Sequence, residues 1–369
     1  MTRRIPVAAP IFRGNETAYV MDCLQSTWVS SNGSYIDRFE AGFAQFSAAR
    51  HAISCVNGTA ALHLALLALG VCPGDEVLVP TLTFVATANA VRYCNAEPVF
   101  VDSRTDTWNI DHDRLEDAIT PRTRGIIAVH LYGHPADMDA IQAVARRHGL
   151  FVIEDAAEAH GATYKGRRVG SIGDAATFSF YGNKVLTAGE GGMVTTSDDA
   201  LAERVRRLKG QGLDPARRYW FPIIGYNYRM TNVAAAIGLA QLEQADWHLG
   251  RRAEVAAWYA EMLKGLGVAT WQCEQPWASH IRWMFTVLIN ADERSRDGVM
   301  AQLLDEGIET RPAFVPLHQL PPYQSAERGG PFPVAEDIGS RGISLPTWAG
   351  LTREDVSWIC DRLVHALQG

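Results

Sequence analysis

Residues 125–155, GIIAVHLYGHPADMDAIQAVARRHGLFVIED, contain a complete strand–helix–strand unit. GIIAVHLYG (125–133) and LFVIED (150–155) are short runs with β-branched residues, apolar on both faces and ending in polar or glycine residues, and DMDAIQAVARRHG (137–149) between them reads as a helix. Strands buried on both faces and joined by a helix imply a mainly parallel sheet covered by helices. Upstream, HAISCVN (51–57) leads into GTAALHLALLALG (58–70), DEVLVP (75–80) leads into TFVATANAVRYC (83–94), and EPVFVD (97–102) follows. Downstream, ATFSFY (176–181) and GGMVTT (191–196) read as two closely spaced strands of the same sheet, joined hairpin-fashion by a glycine-rich segment. Residues 206–230 lack periodicity and read as a long ordered loop, the kind that often carries function. TNVAAAIGLAQLEQADWHL (231–249) reads as one helix that carries the chain near residue 245 into a smaller domain, with WMFTVLIN (283–290) a strand and GVMAQLLDEG (298–307) and EDVSWICDRLVHALQ (354–368) helices. The expected division is therefore a large domain over 1–245 and a small α/β domain over 246–369.

Within this frame Lys184, in SFYGNK, follows a run that ends in an acid, Asp155 in VIEDAAEAHGA. An amine able to form a Schiff base, together with a carboxylate able to hold a pyridinium nitrogen, is the minimum protein chemistry that pyridoxal phosphate requires. Taken singly, a lysine is more often a solvated cation and an acid after a strand a helix cap. The surroundings favour the chemistry. Asp155 falls at the carboxyl edge of the expected sheet, where ligands of open α/β sheets collect. Asn57-Gly58-Thr59-Ala60 sits where a strand ends and a helix begins, so it is either a phosphate cradle at a helix N-terminus or an ordinary helix start with Thr59 near the cap. Phe84 follows the strand DEVLVP and is either a ring that stacks on an aromatic cofactor or a core phenylalanine. Glu158 lies one helical turn from Asp155 and either reaches the cofactor's ring hydroxyl or extends to solvent. Ser179 and Lys184 are five positions apart across a strand end, which lets a hydroxyl bind phosphate while the amine reaches an aldehyde.

Composition narrows the classes. The chain is 369 residues long, with 47% hydrophobic residues and a formal charge of -7 from 34 basic and 41 acidic side chains that are interspersed. That pattern gives neither a nucleic-acid footprint nor a polybasic membrane anchor. No apolar run approaches the roughly 20 residues of a membrane span, and MTRRIPVAAP lacks a secretory core, so a cytoplasmic location is expected. The six cysteines (23, 55, 72, 94, 273 and 360) are far apart and form no C-x-x-C pair, against a zinc, redox or iron–sulfur site. His130 and His134 have metal-like spacing, but the strand and glycine around them break the helix that would align two ligands, and no metal is expected.

The blocks NGTAALHLAL, PGDEVLVPTLTFVAT, VIEDAAEAHGATYKG, FSFYGNK, GEGGMVTT and GYNYRMTNVAAAIGLAQLE resemble those of the sugar aminotransferases of the DegT/DnrJ/EryC1/StrS family, fold type I pyridoxal-phosphate enzymes. The likeness covers nearly the whole chain. It implies a Schiff-base role for Lys184, a pyridinium partner in Asp155, proximity of Glu158 to the ring hydroxyl, where many relatives have glutamine, and a stacking ring in Phe84. It further implies that Gly58, Thr59, Ala60 and Ser179 bind the phosphate, and that Asn227, in GYNYRM, reaches the phosphate of a neighbouring subunit, making a homodimer with shared active sites. By the same likeness Trp28, Ser30, Tyr181, Tyr228, Arg229, Arg311 and His318 border a sugar-nucleotide channel, although each could equally pack a dimer interface. The segments IPVAAPIFRGNE, STWVSSNGSYIDRFE, RRYWFPIIGYNYRM and IETRPAFVPLHQLPPY most resemble members that aminate C4 of GDP-4-keto-6-deoxy-D-mannose with L-glutamate, in O-antigen or related polysaccharide synthesis. A UDP- or dTDP-linked sugar, or amination at C3, stands as the alternative. A related dehydratase would carry histidine for Lys184, and a non-catalytic regulator is a third reading. His134, where close relatives have glutamine, and His160 suggest altered sugar recognition.

Overall fold

The computed structural model describes residues 4–290, 295–324 and 330–368. Its centre is a seven-stranded sheet in the order His51–Cys55, Gly192–Thr196, Ala175–Ser179, Phe151–Asp155, Thr123–Val129, Glu76–Pro80, Glu97–Val101. Only Gly192–Thr196 runs against the others; it pairs antiparallel with both of its neighbours, and the remaining pairs are parallel. The mixed, mainly parallel sheet between helices is the architecture that the strand–helix alternation implies.

The deciding stretch folds as its chemistry dictates. Asp137 caps the helix Met138–His148 by accepting the Ala140 N–H at 3.2 Å, and Gly149 ends it at φ 64°. Arg146, Arg147 and His148 sit in the last turn, where positive charge suits the helix dipole. The flanking strands bury Ile126, Ile127 and Ile153 completely. Each such side chain contributes about 1.5–3 kcal/mol by leaving water, so Ile127→Ala should cost about 2–5 kcal/mol.

A second sheet, ordered Ala269–Trp271, Phe285–Ile289, Gly342–Leu345, Arg311–Pro312, is antiparallel throughout. Residues of the helices Ala245–Leu263, Arg296–Asp305 and Arg353–Gln368 pack with it in a separate hydrophobic core, which also takes in Ile5, bridged in parallel to Ile308. The helix expected over 231–249 is in fact two, Asn232–Leu242 and Ala245–Leu263, broken at Glu243 and Gln244. Gln244 has φ -109° and ψ 14°, outside the helical basin, and apolar periodicity alone does not register such a break. Short strands Thr163–Tyr164, Arg167–Arg168 and Ala278–Ser279 form a third sheet that the sequence reading lacked. Among the described residues no helix is long and apolar enough to cross a membrane.

Candidate active site

The site lies along the edge of the large sheet where the parallel strands end. At the end of His51–Cys55 the chain enters the helix Gly58–Ala68, and Asn57, not Thr59, is its cap: Asn57 Oδ1 accepts the Ala60 N–H at 2.8 Å. The cap satisfies Ala60. The N–H groups of Gly58 and Thr59 come first in the helix, where no intrahelical acceptor exists. Gly58 also faces Ser179 so closely that a Cβ there would stand 2.8 Å from the Ser179 Cβ. Only glycine lets the helix start approach the end of Ala175–Ser179, and the result is a small cradle of two N–H groups and a hydroxyl.

Asp155, at the end of the neighbouring strand, is 5% exposed. Its Oδ2 accepts the Thr87 hydroxyl at 2.8 Å and its Oδ1 accepts the Ala157 N–H at 3.2 Å. Thr83 supports Thr87 in turn, with their hydroxyl oxygens 3.3 Å apart. Burial raises the Asp155 pKa, while the Thr87 and Ala157 hydrogen bonds and the charge of Lys184 oppose that rise. Glu158 does not reach solvent. Its Oε2 accepts the Tyr132 N–H at 2.8 Å, and burial pushes its carboxyl up to about 7. Tyr132 holds that N–H in place from a left-handed backbone, φ 54°, sparse for a large side chain and fixed here by burial on all sides.

Lys184 sits in a turn, its N–H bonded to the Tyr181 carbonyl at 2.9 Å, and its side chain turns inward. Nζ lies 3.9 Å from Glu158 Oε1 and 3.8 Å from the centre of the Trp283 ring. Burial lowers the Lys184 pKa; Glu158 and Asp155 act against this and Arg311 adds to it. Phe84 is 56% exposed at the sheet edge, its ring centre 6.0 Å from that of Phe314, so it is not a core phenylalanine.

The residues expected around a substrate are distributed differently. Trp28 and Tyr181 are exposed aromatic surfaces, at 57% and 51%. The segment of Trp28 and Ser30 is fastened by Asn232, whose Nδ2 donates to the Trp28 carbonyl at 2.7 Å and whose N–H donates to Ser30 at 2.5 Å. Asn227 and Arg229 are exposed and bonded to one another at 3.2 Å, while the Tyr228 hydroxyl is 3.4 Å from His63 Nδ1. His318 Nδ1 is 2.7 Å from the Thr81 hydroxyl, and its ring stacks on Phe332 beside a cavity of about 380 Å³. His134 and His160 are sealed from solvent. His134 bonds the Pro135 carbonyl at 2.7 Å, and His160 packs among Phe43, Phe178 and Phe180, burial pushing it down to about 3. Thr87, Tyr132, Trp283 and Asn232 are contributors that the sequence reading passed over; of these Thr87 had a local signal, three residues beyond Phe84.

A glycine that brings a helix start against a hydroxyl, a buried carboxylate and an inward amine together fit pyridoxal phosphate. Comparison with known proteins gives the same reading. The model of the DegT/DnrJ/EryC1/StrS aminotransferase family matches residues 10–364. The chain is 54% identical to a GDP-perosamine synthase of Caulobacter vibrioides, over 99% of this chain and 97% of that protein. It is 49% identical to a GDP-perosamine synthase of Escherichia coli O157:H7, over 97% of each. A crystal structure of DesI, obtained in the presence of its TDP-sugar product, superposes with a TM-score of 0.93 at 35% identity, covering 100% of this chain and 94% of that one. The chain belongs to the DegT/DnrJ/EryC1/StrS aminotransferase family and is a pyridoxal-phosphate-dependent transaminase.

Proposed function

We propose that the protein moves the amino group of L-glutamate to C4 of a nucleotide-linked 4-keto-6-deoxy sugar, GDP-4-keto-6-deoxy-D-mannose, giving GDP-perosamine for polysaccharide synthesis in the cytoplasm. The observation that carries this reading is the near full-length identity of 54% and 49% with two GDP-perosamine synthases, joined to a sheet edge that holds the amine and acid such chemistry needs. DesI, whose structure was solved with a TDP-sugar product, is the more distant match at 35%.

Bound pyridoxal phosphate supplies an aldehyde and an electron-withdrawing ring, which together acidify the carbon next to a captured amine. The protein's part is binding, orientation and proton movement. Gly58 and Thr59 N–H groups and the Ser179 hydroxyl would hold the phosphate, and Phe84 would cover a ring face. The Asp155 carboxylate, aimed by Thr87, would accept a hydrogen bond from the ring nitrogen and keep it protonated. Glu158 would lie beside the ring hydroxyl. Lys184 Nζ would be the amine that holds the aldehyde and, when free, the base and acid that would move the donor's α-proton. Trp28, Tyr181, Tyr228 and His318 would offer rings to the base, and Arg229 and Arg311 would offer charge to the diphosphate.

The loop before Asn227 exposes Tyr219 at 75%, Trp220 at 48%, Phe221 at 51% and Ile224 at 88%. So much apolar surface on one segment marks an interaction site, which we assign to a second copy of the chain, with Asn227 completing the partner's phosphate site. The test of the function is a panel of GDP-, UDP- and dTDP-linked ketosugars supplied with glutamate, the products read by mass and NMR. The GDP-linked 4-ketosugar should be preferred and 2-oxoglutarate released; preference for a UDP-linked sugar or for C3 overturns the assignment.

A further inference from the structure

Whenever the donor's amine takes its place on the cofactor, the Lys184 amine must rest somewhere inside a buried site, and the structure shows what surrounds it. Glu158 Oε1, at 3.9 Å, is beyond hydrogen-bond distance, and the other Glu158 oxygen is committed to the Tyr132 N–H. The closer neighbour is apolar: the Trp283 ring centre, 3.8 Å from Nζ. A cation within about 6 Å of an indole face is attracted by the ring quadrupole, and the attraction grows as water is excluded. Trp283 is 5% exposed.

The indole is also fixed. Its Nε1–H donates to the carbonyl of Asn183 at 2.8 Å, so the ring is fastened to the backbone directly before the lysine it faces. Its own backbone N–H donates to the Tyr132 carbonyl at 3.0 Å, and its ring stacks on Tyr132 at 6.4 Å and 21°, with Tyr132 stacked on Phe314 at 5.4 Å and 14°. A tightly hydrogen-bonded carboxylate would hold the amine as an ammonium pointing in one direction. A ring face attracts it without a directional bond and leaves it free to turn.

We propose that the face of Trp283 is the seat of the free Lys184 amine: the indole receives it when the donor displaces it and holds it within reach of the reacting carbon. Trp283 is thus a positioning residue. The assignment rests on the reading of Lys184 as the residue that binds the cofactor. The charged or titratable groups that act on Nζ are Glu158, Asp155, Arg311 and the buried His160, and none of them changes in the variants below.

The chain has only four lysines, at 165, 184, 209 and 264, so carbon-13 placed at the lysine ε-carbons gives four signals, and Lys184→Ala identifies one by its loss. In the cofactor-free protein the ε-protons of Lys184 should lie upfield of the other three through the indole ring current. In Trp283→Leu that displacement should vanish and the Lys184 titration midpoint should fall by about one pH unit, a tenfold change in acidity. Trp283→Phe should keep part of both. Leucine and phenylalanine each lose the bond to Asn183, so the difference between them reads the ring face alone. Absence of the upfield displacement in the unaltered protein, or identical titration of the Leu and Phe variants, overturns the seat; if the Leu variant does not fold, the unaltered protein and the Phe variant decide. Failure of borohydride to fix the cofactor to Lys184 would instead overturn the functional reading, since the NMR measurement uses no cofactor.

Discussion

Two side chains wholly sealed from solvent, His130 and Glu154, are bonded at 3.1 Å between the strands Thr123–Val129 and Phe151–Asp155. His130 Nδ1 accepts the Ala136 N–H at 3.0 Å, so Nε2 carries the proton and donates to Glu154 Oε2. That carboxylate also accepts N–H groups from Gly170, Ile172 and Gly173 at 3.0, 2.8 and 2.9 Å. Burial alone would raise the Glu154 pKa, but these hydrogen bonds prevail and hold it below the usual range. Glu154 precedes Asp155 and so ties the strand end beneath the site. Glu154→Gln sets an NH₂ donor against N–H donors and should cost about 2–4 kcal/mol by urea unfolding at neutral pH. Because the folded pKa is depressed, the stabilisation is present above the unfolded carboxyl value and is lost as pH falls through the folded one. The gap between the two proteins should therefore narrow below about pH 4.5. A gap that stays constant through the acid range would refute the account.

Thr87 aims Asp155. Thr87→Val keeps the shape and removes the 2.8 Å hydrogen bond, which leaves the rise caused by burial less opposed. A hydrogen bond to a charged group is worth about 1.5–3 kcal/mol, so cofactor affinity or kcat should fall about 10- to 100-fold. Equilibrium dialysis of the cofactor and single-turnover rates measure the two; an unchanged variant would show that Asp155 needs no orienting donor.

Glu158 should impose a pH dependence near neutrality. Its folded pKa is raised, to about 7, so its contribution to stability is fully present below the unfolded carboxyl value and is lost as pH rises through about 7. Glu158→Gln removes that loss. In the cofactor-free protein, the stability of the variant relative to the parent should climb between pH 5 and pH 8 and then level off. Denaturant unfolding at single-unit pH intervals checks this, and parallel curves would place the titration elsewhere.

The proposed sharing of sites between two subunits makes a distinctive claim about mixtures. Lys184→Ala and Asn227→Ala proteins should each be nearly inactive, yet refolding them together in equal amounts should restore about a quarter of normal activity, because half the dimers are hybrids with one intact site each. No recovery, with hybrids demonstrated by differential tagging, would mean that Asn227 serves its own subunit or none.

The sequence made the large sheet readable because its strands are buried on both faces and its helices carry local caps. Asp137 and Gly149 lie beside the helix they delimit, and Lys184, Asp155, Gly58 and Ser179 each lie at or beside the end of a strand visible from composition. What escaped depends on distance along the chain. Trp283 is ninety-nine positions from Lys184, and Tyr132 acquires its role only because its left-handed backbone turns N–H and carbonyl toward Glu158 and Trp283. The break at Glu243 and Gln244 occurs inside an apolar run that either one helix or two could present. Thr59 gave way to Asn57 as cap because two candidate side chains stand two positions apart and only the backbone angles choose between them.

The bridge between Ile5 and Ile308 gives the chain an order of events at birth. At a synthesis rate of about 5–20 residues per second, Ile5 waits roughly 15–60 s on the ribosome before its partner is made. Every strand of the large sheet has been made by then, so that layer can close before the segment around Ile5 has found its partner.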